Sequence, residues 1–175
     1  MKDNWLKYEM AGAYGTNVAL VLMIAAVYGG RKMEMLISLT MFLYALAMAV
    51  VISCSLAGIF YAIRHKQEIC GEEKLYAKIF SWKKKMLPFY LINIAIWSFF
   101  VLQVGHPNLG GLWMLIPTGV CYTYLSVIGT SIYSILRLME ERGKNYIVHT
   151  LMHMLFVLDF LSSFLLYKKG NVSTF

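Results

Sequence analysis

Long uncharged stretches alternate with short clusters of charge along the whole chain. Five apolar runs, at 10–28, 35–63, 86–104, 109–136 and 146–167, each reach 19 residues or more. An α-helix rises 1.5 Å per residue, so each run is long enough to cross a hydrocarbon core about 30 Å thick. Backbone N–H and C=O groups must be satisfied within the segment where water is absent, and the alternating pattern of a membrane barrel is missing. The pattern predicts an all-α, polytopic membrane helix bundle of about five transmembrane helices, with 1–175 forming a single multi-pass domain of a cell membrane. The second and fourth runs exceed a perpendicular crossing and should tilt or extend beyond the bilayer.

Composition strengthens this reading. Hydrophobic residues make up 59% of the 175 positions and charged residues 14%, well under the share usual in water-soluble domains. Basic residues then orient the bundle. The segment 64–85 holds seven of them (Arg64, Lys66, Lys74, Lys78, Lys83, Lys84 and Lys85), whereas the loop 105–108 has none. A cytoplasmic N-terminus places twelve Lys and Arg residues inside and four (Arg31, Lys32, Lys168 and Lys169) outside, as the positive-inside rule requires. This sorting accounts for the net charge of +7 without a nucleic-acid partner.

Smaller signals add little chemistry. Lys2 and Lys7 precede the first apolar run as in a signal peptide, but Asp3 and Glu9 dilute the charge and no A-x-A site follows Val27. Cys54, Cys70 and Cys121 form no C-x-x-C pair and read as reduced packing residues. Asn171-Val172-Ser173 fits a glycosylation triplet of a frequent chance type.

Small residues recur every four positions at Ala11, Gly15 and Ala19, and again at Ala45, Ala49, Ser53 and Ala57. Such strips let helix backbones approach closely, predicting a packing face within the bundle, with a homodimer contact as the alternative. Gly119, Thr123, Ser126, Thr130 and Ser134 line the fourth run, and Pro117 should bend it near its outer end.

Asp159 has the position that most demands explanation. A charge in the middle of a span costs at least about 2.5 kcal/mol, so Asp159 should face protein, either as an ion, proton or substrate site or as a neutral acid. Its expected partners by depth are Asn93 on the third run and Thr123 or Ser126 on the fourth, with Asn17 a further candidate. His149 and His153 stand one helical turn apart and could bind a metal or carry protons, but H-E-x-x-H is absent and an interfacial structural pair is the expected reading. In 64–85, Leu75, Tyr76, Ile79, Phe80 and Trp82 fall at helical spacing among Lys74, Lys78, Lys83, Lys84 and Lys85. That composition predicts a basic amphipathic helix lying on the anionic inner leaflet, as a topological anchor or a docking element. No catalytic set and no cofactor- or metal-binding motif is present.

Two resemblances suggest functions. His106-Pro107 with Gly111, and later Glu140-Glu141-Arg142, resemble elements of membrane methyltransferases of the isoprenylcysteine carboxyl methyltransferase type, though the expected topology puts them on opposite sides of the bilayer. Ser55 to Arg64 closing one span, Ile79 to Met86 opening the next, and Ser131 to Arg137 before a final span resemble the YesL family of small bacterial membrane proteins. That resemblance implies an accessory subunit of a membrane complex, associated with a carbohydrate-importing ABC transporter. The alternatives are a small transporter or ion- or proton-coupled permease acting as a homo-oligomer, and a membrane-embedded methyltransferase. The lipid bilayer and other membrane subunits are the expected partners.

Overall fold

A computed structural model describes residues 4–28, 34–72, 74–102, 115–141, 146–154 and 156–172. Among them every regular element is helical: α1 (Asn4–Tyr28), α2 (Glu34–Arg64), α3 (Lys66–Cys70), α4 (Leu75–Leu102), α5 (Leu115–Glu141), α6 (Tyr146–Met154) and α7 (Phe156–Val172). Three stretches, Trp5–Tyr28, Glu34–Arg64 and Pro117–Glu141, are long and apolar enough to cross a membrane.

The chain forms two compact units. The first is Met1–Cys54 with Pro88–Thr123, and the second is Ser55–Leu87 with Tyr124–Phe175. In the first, α1 and α2 pack through glycine: a Cβ on Gly12 would lie 3.1 Å from the Ala47 carbonyl oxygen and from Val50 and Val51. Gly119 on α5 is likewise covered by the Trp97 ring of α4, leaving no room for a side chain. Tyr122 is buried between these helices, edge-on to Tyr44 at 6.2 Å between ring centroids. In the second unit Gly129 lies against Ser55, and the Tyr133 hydroxyl donates to the Gly58 carbonyl at 3.3 Å. Within each unit α4 and α5 run antiparallel, as the pairs Trp97 with Gly119 and Asn93 with Tyr122 show in one, and Lys83 with Ser131 and Trp82 with Tyr133 in the other.

Several expectations change. The strip Ala45, Ala49, Ser53 and Ala57 is exposed, and α2 turns Tyr44, Val51, Ser55, Gly58 and Ala62 inward instead, because Gly12 and Gly129 provide the close approach. Pro117 falls in the first turn of α5, where its missing N–H has no helical acceptor to lose, so it opens the helix. The basic amphipathic segment is the first part of α4 itself. Its apolar positions Leu75, Ile79, Trp82 and Met86 are buried in protein.

The run 146–167 is also not one helix. A straight helix would hold His149 and Ser162 about 20 Å apart, yet their side chains meet at 2.9 Å. Chain direction therefore reverses between α6 and α7, which pack as an antiparallel helical hairpin. The loop 105–108, the His106, Pro107, Gly111 and Arg142 of the methyltransferase resemblance, the Lys2 and Asp3 of the signal-peptide reading and Ser173 of the glycosylation triplet lie outside the described residues.

Candidate functional site

The second unit is built around a buried charge. Lys83 lies on α4 next to the apolar stripe of Ile79, Trp82 and Met86, four residues after the first and three before the last, so it shares their inward face. It is 1% exposed and Asp159 is 2% exposed, and the two form an ion pair. Lys83 Nζ also donates to Ser131 Oγ on α5 at 2.7 Å, and Ser131 Oγ donates to Asp159 Oδ1 at 2.6 Å. His153 Nδ1 reaches the same carboxylate oxygen at 2.7 Å.

Helix ends favour this arrangement. Asp159 sits in the first turn of α7, where unpaired N–H groups carry partial positive charge, and His153 in the last turn of α6, where the partial charge is negative. The reversal thus brings an acid and a base together at the helix ends that suit them. Ser162, one turn beyond Asp159, lies 3.3 Å from His153 Nε2 and 2.9 Å from His149 Nδ1.

A separate polar cluster occupies the first unit. Asn93 Nδ2 donates to Asn17 Oδ1 at 3.0 Å, and the Tyr122 hydroxyl lies 3.1 Å from Asn93 Oδ1 and 3.2 Å from Thr16 Oγ1. All these groups are neutral, and their hydrogen bonds tie α1, α4 and α5 together. Asn93 thus takes partners other than Asp159. Thr123 Oγ1 donates back to the Gly119 carbonyl at 2.7 Å within its own helix, and Ser126 is buried on α5. Of the residues predicted to share an intramembrane site, the structure gives Asp159 a different set of neighbours: Lys83, Ser131 and His153.

The predicted interaction lysines separate in the same way. Lys84 and Lys85 are exposed, whereas Lys83 is enclosed. Trp82 packs edge-on against Tyr133 at 5.9 Å, with Lys78 Nζ 5.5 Å from its ring. Phe80 meets Phe160, Phe164 and Tyr167 at 5.6, 5.7 and 5.0 Å, fastening α7 along the first turns of α4. The N-terminal end of α4 is also tied to α5. Arg137 donates to the Glu72 carbonyl and to Glu141 at 2.9 Å, and lies over the Tyr76 ring. Burial, then a hydrogen bond to Glu140, pushes the neighbouring Cys70 thiol up to about 11.

The sequence reading placed Lys83 among the surface lysines of 64–85 and gave Ser131 no part in a buried site. Lys83 is one of three consecutive lysines, yet the spacing from Ile79 and to Met86 already placed it, and not Lys84 or Lys85, on the buried face. The meeting of His153 with Asp159 had no such signal, since six residues along a continuous helix put them on different sides.

Among the described residues, fold and site define an all-helical protein with three helices long and apolar enough to cross a membrane and a buried lysine–aspartate–histidine cluster in one of its two units. The chain belongs to the family of unknown function DUF6652, whose model matches residues 7–172. No curated protein and no solved structure matches it.

Proposed function

We propose that this chain is a proton-coupled membrane permease, acting as a homo-oligomer, with its proton site at Asp159, His153 and Lys83. The observation that carries the reading is the enclosed Lys83–Asp159 pair with an imidazole on the same carboxylate oxygen. Packed apolar side chains would join α4 to α7 at least as stably, because desolvating two charges offsets much of their attraction. Ionisable groups kept at membrane depth are concentrated on proton and ion pathways. Broken helices whose ends meet at a buried polar site are the construction used by many transporters.

The topology that fits this reading has four crossings, α1, α2, α4 and α5, with the N-terminus in the cytoplasm. The α6–α7 hairpin dips in from the cytoplasmic side and returns. Two observations support it. Asp159 lies beside Lys83, while Phe160, Phe164 and Tyr167 converge on Phe80, so α7 leads back toward the N-terminal end of α4, where the basic segment lies. Returning Lys168 and Lys169 to the cytoplasm also raises the inside count from twelve to fourteen and leaves only Arg31 and Lys32 outside. The exposed strip of Ala45, Ala49, Ser53 and Ala57 is suited to close contact between copies.

The test is reconstitution into liposomes containing a pH dye, with sugars, amino acids and alkali cations offered in turn. A solute-dependent pH change, lost in Asp159→Asn while the protein still folds, is expected. No proton movement with any solute class, together with stoichiometric recovery of an ATPase or permease on purification, would overturn this reading in favour of an accessory subunit.

A further inference from the structure

The carboxylate at the centre of the second unit is bonded through one oxygen only. Lys83, Ser131 and His153 all reach Asp159 Oδ1, and among the described residues Oδ2 has no partner, although Asp159 is only 2% exposed. An ionised carboxylate accepts at both oxygens, and an enclosed oxygen without a donor calls for one supplied by a bound molecule. Lys83 has the complementary surplus. Its ammonium carries three N–H groups, of which one goes to Asp159 and one to Ser131 Oγ, and the third has no partner among the described residues. The two carboxylate oxygens share one carbon and Oδ1 already touches the ammonium, so the spare oxygen and the spare N–H are close neighbours. The Ser131 hydroxyl, which accepts from Lys83 and donates to Asp159, is already committed to both charges.

We infer that the Lys83–Asp159 pair is the binding site for a small zwitterion, an α-amino acid, whose ammonium donates to Asp159 Oδ2 and whose carboxylate accepts from Lys83. Charge decides the class. A cation alone on Oδ2 would add a second positive charge beside Lys83, and an anion alone on the ammonium would add a second negative charge beside Asp159, both costly where water is excluded. A zwitterion brings one of each, so that four charges alternate in sign around a ring and the enclosed site stays neutral as a whole. An α-amino acid holds its ammonium and carboxylate on one carbon, which suits two places that are themselves side by side. A sugar hydroxyl also donates and accepts, but only one partner in each of its bonds would be ionised, and such bonds are weaker than those between two charges. Lys83 stays an ammonium and Asp159 a carboxylate throughout, so the pair that joins α4 to α7 is extended and not broken. The inference rests on the permease reading for transport and names the class of its solute, while binding itself is measured without transport.

The experiment is equilibrium binding of radiolabelled L-alanine to the full chain in lipid nanodiscs, with glycine, L-serine and L-leucine as competitors. Ethylamine, propionate and glucose are the probes that lack one charge or both. Alanine should bind, the other amino acids should displace it, and ethylamine and propionate should compete about ten- to hundredfold more weakly, the worth of one charge-assisted bond. Each single variant should then change its preferred ligand. Asp159→Asn leaves the Lys83 charge without its carboxylate and should prefer propionate to alanine, whereas Lys83→Met should prefer ethylamine. Lys83→Met combined with Asp159→Leu removes both charges and should bind none of the probes. A role confined to stability would not exchange ligands between variants in this way. No binding of any amino acid by the parent would overturn the inference and leave water to complete the pair. Competition by glucose as strong as by glycine, an unchanged preference in both single variants, or undiminished binding in the double variant would overturn it as well. Alanine binding without solute flux in liposomes would keep the site and remove the permease reading. Asp159-dependent flux of another solute class without alanine binding would do the reverse.

Discussion

Removing Asp159 should reveal how strongly the two charges depend on each other. In Asp159→Leu, Lys83 keeps its place at 1% exposure but loses the carboxylate, and Ser131 and His153 lose their common acceptor. Breaking a buried pair from one side costs about 3–5 kcal/mol, most of it the desolvation of the charge left behind. Asp159→Asn keeps the shape and an acceptor oxygen, so only the charge-assisted part is lost, about 1.5–3 kcal/mol. Lys83→Met combined with Asp159→Leu removes both charges and should recover most of the loss, or exceed the parent by about 1–4 kcal/mol. Reversible unfolding in mixed micelles of the parent, Asp159→Leu, Lys83→Met and the double completes a thermodynamic cycle, with a coupling of at least about 2 kcal/mol expected. An Asp159→Leu variant within about 1 kcal/mol of the parent would refute the reasoning, because an enclosed ammonium without a counter-charge cannot be that cheap. The double variant should be stable and inactive, which separates the pair's part in function from its part in stability.

Three further outcomes are expected. A C-terminal green fluorescent protein fusion should glow and an alkaline phosphatase fusion at the same point should be inactive; the opposite result would restore a fifth crossing. Gly119→Ala should lower stability by about 1–3 kcal/mol in the same unfolding assay, because its methyl group would enter the space of the Trp97 ring. Maleimide labelling of Cys70 should be slow at neutral pH and accelerate as the pH climbs toward about 11, since burial and Glu140 hold the thiol protonated; prompt labelling at pH 7 would contradict that environment.

The long apolar runs and their charge-free lengths made the helices legible, and α2 falls within a residue of its expected bounds at both ends. The start of α4 was legible as a helix but not as a buried one, because an amphipathic pattern does not reveal whether its apolar face meets lipid or protein. Asp159 stood out because a lone acid in an apolar run needs a partner. Its partner was hidden by the assumption that 146–167 is continuous: Met152-His153-Met154-Leu155-Phe156-Val157 contains no glycine or proline to announce a reversal. Lys83 was hidden by its neighbours, since three lysines in a row look like one solvated patch. Depth alone misassigned Asn93, whose partners were decided by the meeting of α1, α4 and α5.

The order in which the chain is made gives the hairpin a further consequence. Synthesis runs from the N-terminus, so α4 and its Lys83 exist before Asp159 does. During that interval the ammonium lacks the carboxylate that it pairs with in the finished unit. Arrival of α6 and α7 supplies that carboxylate. The hairpin thus completes the second unit: a chain that ends before α7 leaves Lys83 on α4 without the carboxylate that balances it in the finished fold.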